Sequence, residues 1–296
     1  MNQDPLLNTE QDLEYNNSLI KRLQRGFGYL VLIVAALICA APLLWLLDAA
    51  FRPKIEIFQV PPVIMKGMTS FASYSWASFS RAISEFNVLT TLTNSLIVAV
   101  AAISLTLFVC SLCAFAFAYM QFPGKNFFFM MILATMMLPS VTMLVPYYQV
   151  VRSIGLTNNL AGVFIPYAAS AFGVFMLRQY FIKLPASLIE AAKIDGASWV
   201  KIWWGIIMPL SKPALAALTI IQFRLVWNDF LNPILILKDE TLFTLPIRLQ
   251  AMDSTNFNVP YDAIMATGLI TALIPVTIFL LFQRQFIEGL TGGVKG

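Results

Sequence analysis

Few residues in this chain of 296 are equipped for chemistry, and most of those sit inside apolar runs. Histidine is absent, which removes a Ser-His-Asp triad, a histidine-ligated zinc and a phosphorelay histidine together. Cys39, Cys110 and Cys113 all fall in apolar segments, and Cys110-Ser111-Leu112-Cys113 has the CxxC spacing that can hold a metal or carry redox chemistry. It has no second such pair, and a helix sets i and i+3 on one face in any case, so it is read as packing. An aspartyl pair, Asp48 with Asp229, would be the remaining acid–base constellation, and no motif supports it. No catalytic or metal-binding residue is assigned.

A charge immersed in lipid marks a pathway or an interface. Arg224 lies about a dozen residues into the apolar run 210–237, roughly 18 Å along a helix rising 1.5 Å per residue. Asn228, four residues on, shares its face. Gln222 and Asp229, seven apart, share another. One face then lines a solute path and the other meets a neighbouring helix, and the sequence does not say which. The alternative is an internal ion pair between helices, although Arg224 and Asp229, five apart, are poorly placed to pair with each other. Asn94 and Ser95 open another run and Asp48 closes one. Either suits an outer vestibule, and Asn94 equally suits a helix cap. The path candidates are Arg224, Asn228, Asp229, Gln222 and Asn94.

The elements that would hold these groups follow from composition. Apolar residues make up 59% of the chain, charged residues 11%, and mean hydropathy is +0.77. A soluble domain runs nearer half and a quarter. Apolar runs at about 27–47, 92–120, 127–150, 159–181, 210–237 and 261–284 are each long enough to cross a hydrocarbon core of about 30 Å. The fold class is all-α membrane protein with six transmembrane helices, and no room remains for a large soluble catalytic domain. Pro139, Pro146, Pro166 and Pro275 fall inside runs and predict kinks. Residues 1–26 read as a polar, acidic, solvated tail, 27–284 as the membrane domain and 285–296 as a second tail. The first run starts too late and runs too long for a cleavable signal, so it is a retained span. The methionines of the third run (Met130, Met131, Met136, Met137, Met143) read as adaptable core packing.

Six spans put both termini on one side, and charge chooses it. Termini inside gives eleven cytoplasmic lysines and arginines against seven outside, with Lys21, Arg22 and Arg25 abutting the first span. Both termini are therefore expected in the cytoplasm. The net charge of +4 is dispersed, with no basic stripe, so nucleic acid is not an expected partner. The outer connection between the first two runs carries Phe71, Tyr74, Trp76 and Phe79, suited to a binding protein or to anchoring in membrane lipid.

The inner connection, about 185–209, holds the sharpest local signal. Ser187 with Glu190 three residues on has capping-box spacing. Ala191-Ala192-Lys193-Ile194 propagates a short helix, and Gly196 can take the left-handed conformation that ends it. A second helix through Trp199, Ile202, Trp203 and Ile206 is expected to stop at Pro209. Two readings stay open on these residues alone: an interfacial helix pair that joins spans, or a compact pair that docks in a partner's groove.

The spacing Glu190-Ala191-Ala192, three residues, Gly196, nine residues, Ile206-Ile207-Met208-Pro209 resembles the EAA loop of bacterial ATP-binding-cassette import permeases, with Met208 where the family usually has leucine. Phe122-Pro123-Gly124-Lys125, Trp227-Asn228-Asp229-Phe230 and the ending Gly289–Gly296 are similar to carbohydrate importers of that family, in particular the G-type permeases of maltose-type systems. The resemblance implies a type I importer permease fold. It implies that Glu190, Ala191, Ala192, Asp195, Gly196 and Pro209 dock on a cytoplasmic ATPase whose closure around ATP drives alternating access. It further implies that Gly292, Gly293 and Lys295 reach between the ATPase subunits. The expected partners are a second, non-identical permease subunit, two ATPase subunits, an extracytoplasmic solute-binding protein and membrane lipid. The expected location is the bacterial inner membrane, and the cargo a sugar, oligosaccharide or sugar-like solute.

This chain carries no Gly-x-x-x-x-Gly-Lys-[Ser/Thr], since Gly124-Lys125 is followed by Asn126, so ATP and Mg are expected on the partner ATPase and no cofactor here. The chain is not expected to be an enzyme. The alternatives are an ion-coupled secondary transporter, for which Asp229 is a single membrane carboxylate without an internal repeat, or a permease of the same type for a non-sugar solute.

Overall fold

A computed structural model describes residues 5–57, 74–254 and 259–291; they are helix, turn and loop, and no strand occurs among them. The first element, α1 (Pro5–Ala50), is one continuous helix. The tail expected as solvated chain up to residue 26 is therefore helical from Pro5 onward. No glycine or proline interrupts residues 6–25, and glutamine, glutamate, arginine and leucine favour helix there. A short α2 (Lys54–Ile57) and α3 (Ala77–Ser84) lead into α4 (Val88–Tyr119), the axis of the bundle.

The third run is not one kinked helix. α5 (Lys125–Thr135) and α6 (Leu144–Ser153) meet at 100° across a break containing Pro139. The fourth run is α7 (Leu160–Phe164), a 3₁₀ turn Ile165–Ala168 around Pro166, and α8 (Ala171–Phe181). The inner connection holds α9 (Ala186–Ile194), α10 (Trp199–Ile202) and α11 (Met208–Leu210), and bends by 78° into α12 (Lys212–Trp227). The fifth run then breaks at 228–230 before α13 (Leu231–Ile236), where Pro233 disfavours a helical bond to the Asp229 carbonyl. α14 (Leu245–Asp253) precedes α15 (Tyr261–Thr291), which continues past residue 284. Among the described residues four helical segments are long and apolar enough to cross a membrane, and counting each bent pair as one span brings the number to six.

The core lies along α4 in two parts. Near its start, Val98, Ala99 and Ala102 pack with Val163, Phe223, Trp227, Ile236, Leu245 and Ala263. Near its end, Cys110, Ala114 and Phe115 pack with Val174, Leu177, Phe181, Ile202, Ile207 and Leu218. Each end is tied by its own polar groups. At the start, Asn94 Nδ2 donates to the carbonyls of Thr241 (2.8 Å) and Phe243 (3.1 Å), and Ser95 Oγ accepts from Leu245 N–H at 2.7 Å. At the far end, Arg178 Nε donates to Phe117 O at 3.1 Å and Lys125 Nζ to Met120 O at 2.9 Å.

Prolines inside spans strip carbonyls of their helical donor, and lipid offers no replacement. Here neighbouring side chains supply it. Pro166 frees Gly162 C=O, which accepts from Tyr147 Oη–H at 3.2 Å. Pro275 sits within the unbroken α15 and frees Thr271 C=O, which accepts from Trp227 Nε1–H at 3.2 Å. The broken turn after Pro166 is backed by α4: Thr106 donates to Tyr167 O at 2.8 Å and the Cys110 thiol faces Ser170 O at 3.4 Å. Cys110 is buried in the core and Cys113 packs against it, and no group of three or more potential metal ligands occurs among the described residues. Trp227→Phe keeps the ring and orphans the Thr271 carbonyl. Its expected cost is about 1–3 kcal/mol, read as a lowered melting temperature of the purified chain in detergent.

Two further expectations are corrected. The methionine-rich run is not core: α5 has no buried residue, and Met130 and Met137 are among its most exposed neighbours. That face is left for lipid or another subunit. Asp48 does not line a vestibule either. It is buried against Arg52 as an ion pair and accepts from Tyr74 Oη–H at 2.6 Å.

Candidate docking loop and polar helix

The inner connection folds as helix, glycine turn, helix, with details that differ from the expected ones. α9 starts directly after Pro185, whose φ of −57° already suits a helix, and no side chain caps it. Ser187 therefore falls inside the first turn and the capping box with Glu190 does not form, which leaves the Glu190 carboxylate exposed. The other end is as expected. Gly196 has φ +76°, its N–H reaches Lys193 O at 3.0 Å, and Ala197 N–H reaches Ala192 O at 2.9 Å. That pair of bonds is a Schellman cap, which only a residue tolerant of the left-handed region completes without strain. Lys193 Nζ lies 4.0 Å from the centre of the Trp199 ring, closing the turn.

Ser198 Oγ caps the next helix by accepting from Lys201 N–H at 3.3 Å. This helix does not stop at Pro209 but runs on to Leu210, through a π turn at Trp203–Ile207. Pro209 has no N–H for Gly205 C=O, and widening the turn just before it relieves the ring clash.

The loop has two sides. Ile189 and Ala192 are buried in the core around Phe181, Ile202, Trp203 and Ile207. Glu190, Ala191, Asp195, Gly196 and Pro209 are exposed. Of the residues expected to dock, Ala192 is thus turned into the bundle, where its small size lets α9 lie close. Sequence reasoning missed Ile194. It is 87% exposed beside the glycine turn, and its only signal was an apolar residue breaking the small-residue face. Gly292, Gly293 and Lys295 lie outside the described residues.

The two polar faces of the fifth run separate. Gln222 is buried with Phe223, Val226 and Trp227, while Arg224 and Asn228 are exposed. Asn228 Nδ2 donates to Arg224 O at 2.9 Å. Asp229 sits at the break and is consumed there. Oδ1 accepts from Leu231 N–H at 3.1 Å, and Oδ2 from Asn232 Nδ2 at 2.9 Å and from the Tyr167 hydroxyl. It caps α13 and ties the break in the fifth run to the break in the fourth. No ion pair of Arg224 with Asp229 or another carboxylate occurs among the described residues. Asn94 is neither cap nor span opening: α4 begins at Val88, and the Asn94 amide is buried holding the loop around 241–243.

The chain has marked likenesses to known proteins. The family described as binding-protein-dependent transport system inner membrane component matches residues 111–291. The sn-glycerol-3-phosphate transport system permease protein UgpE of Yersinia enterocolitica is 35% identical over 273 residues, covering 91% of this chain and 96% of that one. The arabinooligosaccharides transport system permease protein AraQ of Halalkalibacterium halodurans is 35% identical over 276 residues, covering 92% and 95%. A chain from the crystal structure of a bacterial ABC transporter involved in the import of the acidic polysaccharide alginate shares the fold, with a TM-score of 0.78 at 22% identity over 90% of this chain and 97% of that one. A second structure of the alginate transporter, in complex with an alginate pentasaccharide-bound periplasmic protein, has a TM-score of 0.59 at 15% identity, covering 90% and 97%.

Proposed function

The chain belongs to the family of binding-protein-dependent transport system inner membrane components, and we propose that it is the permease subunit through which a separate ATPase drives import of a carbohydrate or sugar-like solute. The observation that carries the mechanical part is the two-sided loop. One side of α9 is locked into the bundle by Ile189 and Ala192, and the other presents Glu190, Ala191, Ile194, Asp195 and Gly196 to solvent. A displacement applied to the exposed side is passed to Phe181, Ile202 and Ile207, and so to α8 and α12. The 78° bend at Ser211 makes α12 the lever arm of that movement.

In this reading the chain holds no nucleotide; ATP and Mg are bound by two partner ATPase subunits. A second permease covers the exposed faces of α1 and α5, and an extracytoplasmic binding protein delivers cargo to the end where Asn94, Arg248 and Asp262 gather. Both termini and the 185–209 loop face the cytoplasm. The carbohydrate assignment is supported by relatives whose names specify glycerol phosphate and arabinose oligosaccharides.

The test is reconstitution of the complete assembly in vesicles. Uptake is expected to require ATP on the loop side and binding protein on the other, and to persist when ion gradients are collapsed. Uptake that follows a proton or sodium gradient without ATP overturns the reading.

A further inference from the structure

Several cations of the bundle are compensated by this chain itself. Arg52 pairs with Asp48, and Arg81 with Glu85 at 2.9 Å and Asp262 at 3.3 Å. Arg248 pairs with Glu240 at 2.9 Å. Lys125 reaches two backbone carbonyls, and Arg178 a carbonyl and the face of Phe129 at 4.2 Å. Arg224 is different. It is exposed about a dozen residues into a span, and no hydrogen bond or ion pair to its guanidinium occurs among the described residues. The nearest carboxylate in sequence, Asp229, already accepts from Tyr167, Asn232 and Leu231.

A guanidinium at such depth is costly against lipid tails, and none of the described residues supplies its counter-charge. Asn228 is exposed beside it, with its amide nitrogen turned back to Arg224 O and its carbonyl oxygen left to accept. A planar fork for an oxyanion next to an acceptor for a hydroxyl is the pattern that reads an acidic sugar derivative. We propose that Arg224 and Asn228 form an anion-reading position on the translocation path, and that the cargo is a carbohydrate or polyol bearing a phosphate monoester or carboxylate. The proposal rests on the importer reading above and narrows its substrate class.

The complete transporter in vesicles, with its own binding protein, is assayed for uptake of three probes: sn-glycerol 3-phosphate, an oligouronate and a neutral arabinose oligosaccharide. Wild type is expected to take up at least one acidic probe, and Arg224→Gln to lose about tenfold or more of that uptake while Arg224→Lys keeps part of it. Uptake of the neutral probe alone, or equal uptake of an acidic probe by Arg224→Gln, overturns the proposal and leaves the importer reading intact. Uptake of none of the three by an assembly that hydrolyses ATP in response to its binding protein also overturns it. Failure of ATP to support any transport defeats the importer reading instead.

A readout independent of cargo separates the other sources of counter-charge. In a Cys39→Ser background, Arg224→Cys in the assembled transporter is expected to react with a charged, membrane-impermeant thiol reagent, as a water-filled path requires. No reaction places the residue against lipid headgroups or chains and overturns the proposal. Loss of the second permease on purification of Arg224→Gln makes it an intersubunit ion pair, which also overturns it.

Discussion

Ile194→Asp is expected to leave the chain folded and inserted while reducing ATP-driven uptake by two orders of magnitude or more. The side chain is 87% exposed, so the bundle loses nothing by the change. If the loop docks in an ATPase cleft, the same side chain becomes the apolar centre of the contact. Burying an isoleucine is worth about 1.5–3 kcal/mol, and placing an unpaired carboxylate there instead adds a desolvation cost of several kcal/mol. Together these exceed about 4 kcal/mol, or close to a thousandfold in affinity at 1.4 kcal/mol per decade. Ile194→Val removes a single methylene and should lower uptake only modestly. The measurement is co-purification of the ATPase with the tagged chain, followed by uptake in vesicles. Wild-type association by Ile194→Asp would show that the ATPase grips somewhere else.

How far this could be read from residues alone differs between parts. Six apolar runs and a helix–glycine–helix loop follow from hydropathy and from Gly196, because span length and a left-handed cap are local requirements. The breaks were only half legible. Pro139 and Pro166 announce an interruption, but not that the first becomes a 100° corner, while Pro275 leaves α15 continuous. A helix can continue through a proline where a neighbour supplies a donor for the carbonyl that the proline frees. For Pro275 that neighbour is Trp227, forty-four residues away in sequence. No window of local sequence contains such information.

The same limit governs the site. Asp229 and Arg224 look alike in the sequence, as charges within one apolar run. The fold turns Asp229 into a helix cap and an anchor for Tyr167, and leaves Arg224 without a partner among the described residues. Asn94 changes role for a comparable reason, since the carbonyls it holds come from residues 241 and 243. Ala192 and Ala191 are adjacent and alike, yet only Ala192 faces inward, a distinction fixed by where α9 begins. The start at Ala186 also undoes the capping box, so helix phase rather than residue type assigns the docking face.

Gly162→Ala is expected to abolish recovery of a monodisperse, folded chain. A Cβ at this position would lie 2.2 Å from Leu156 O and 2.9 Å from Val151 Cγ1, with Ile236 Cγ2 at 3.2 Å. The first contact is with backbone, held by the bond from Leu156 N–H to Val151 O at 3.0 Å, and Val151 and Ile236 are themselves fully buried. No flexible group can yield. Relief would move α7 away from α6 and α13, and that also draws Gly162 C=O off the Tyr147 hydroxyl, leaving the carbonyl that Pro166 freed without a donor. Overpacking of this kind costs about 3 kcal/mol or more, and an orphaned carbonyl another 1–3 kcal/mol or so, a large part of the 5–15 kcal/mol by which domains are typically stable. Gly28→Ala, where no atom lies within 4 Å of the added carbon, is the control and should be recovered normally. Size-exclusion profiles of the two detergent-extracted variants decide the matter. A symmetric, wild-type-like peak from Gly162→Ala would mean that α7 does not sit this close to its neighbours.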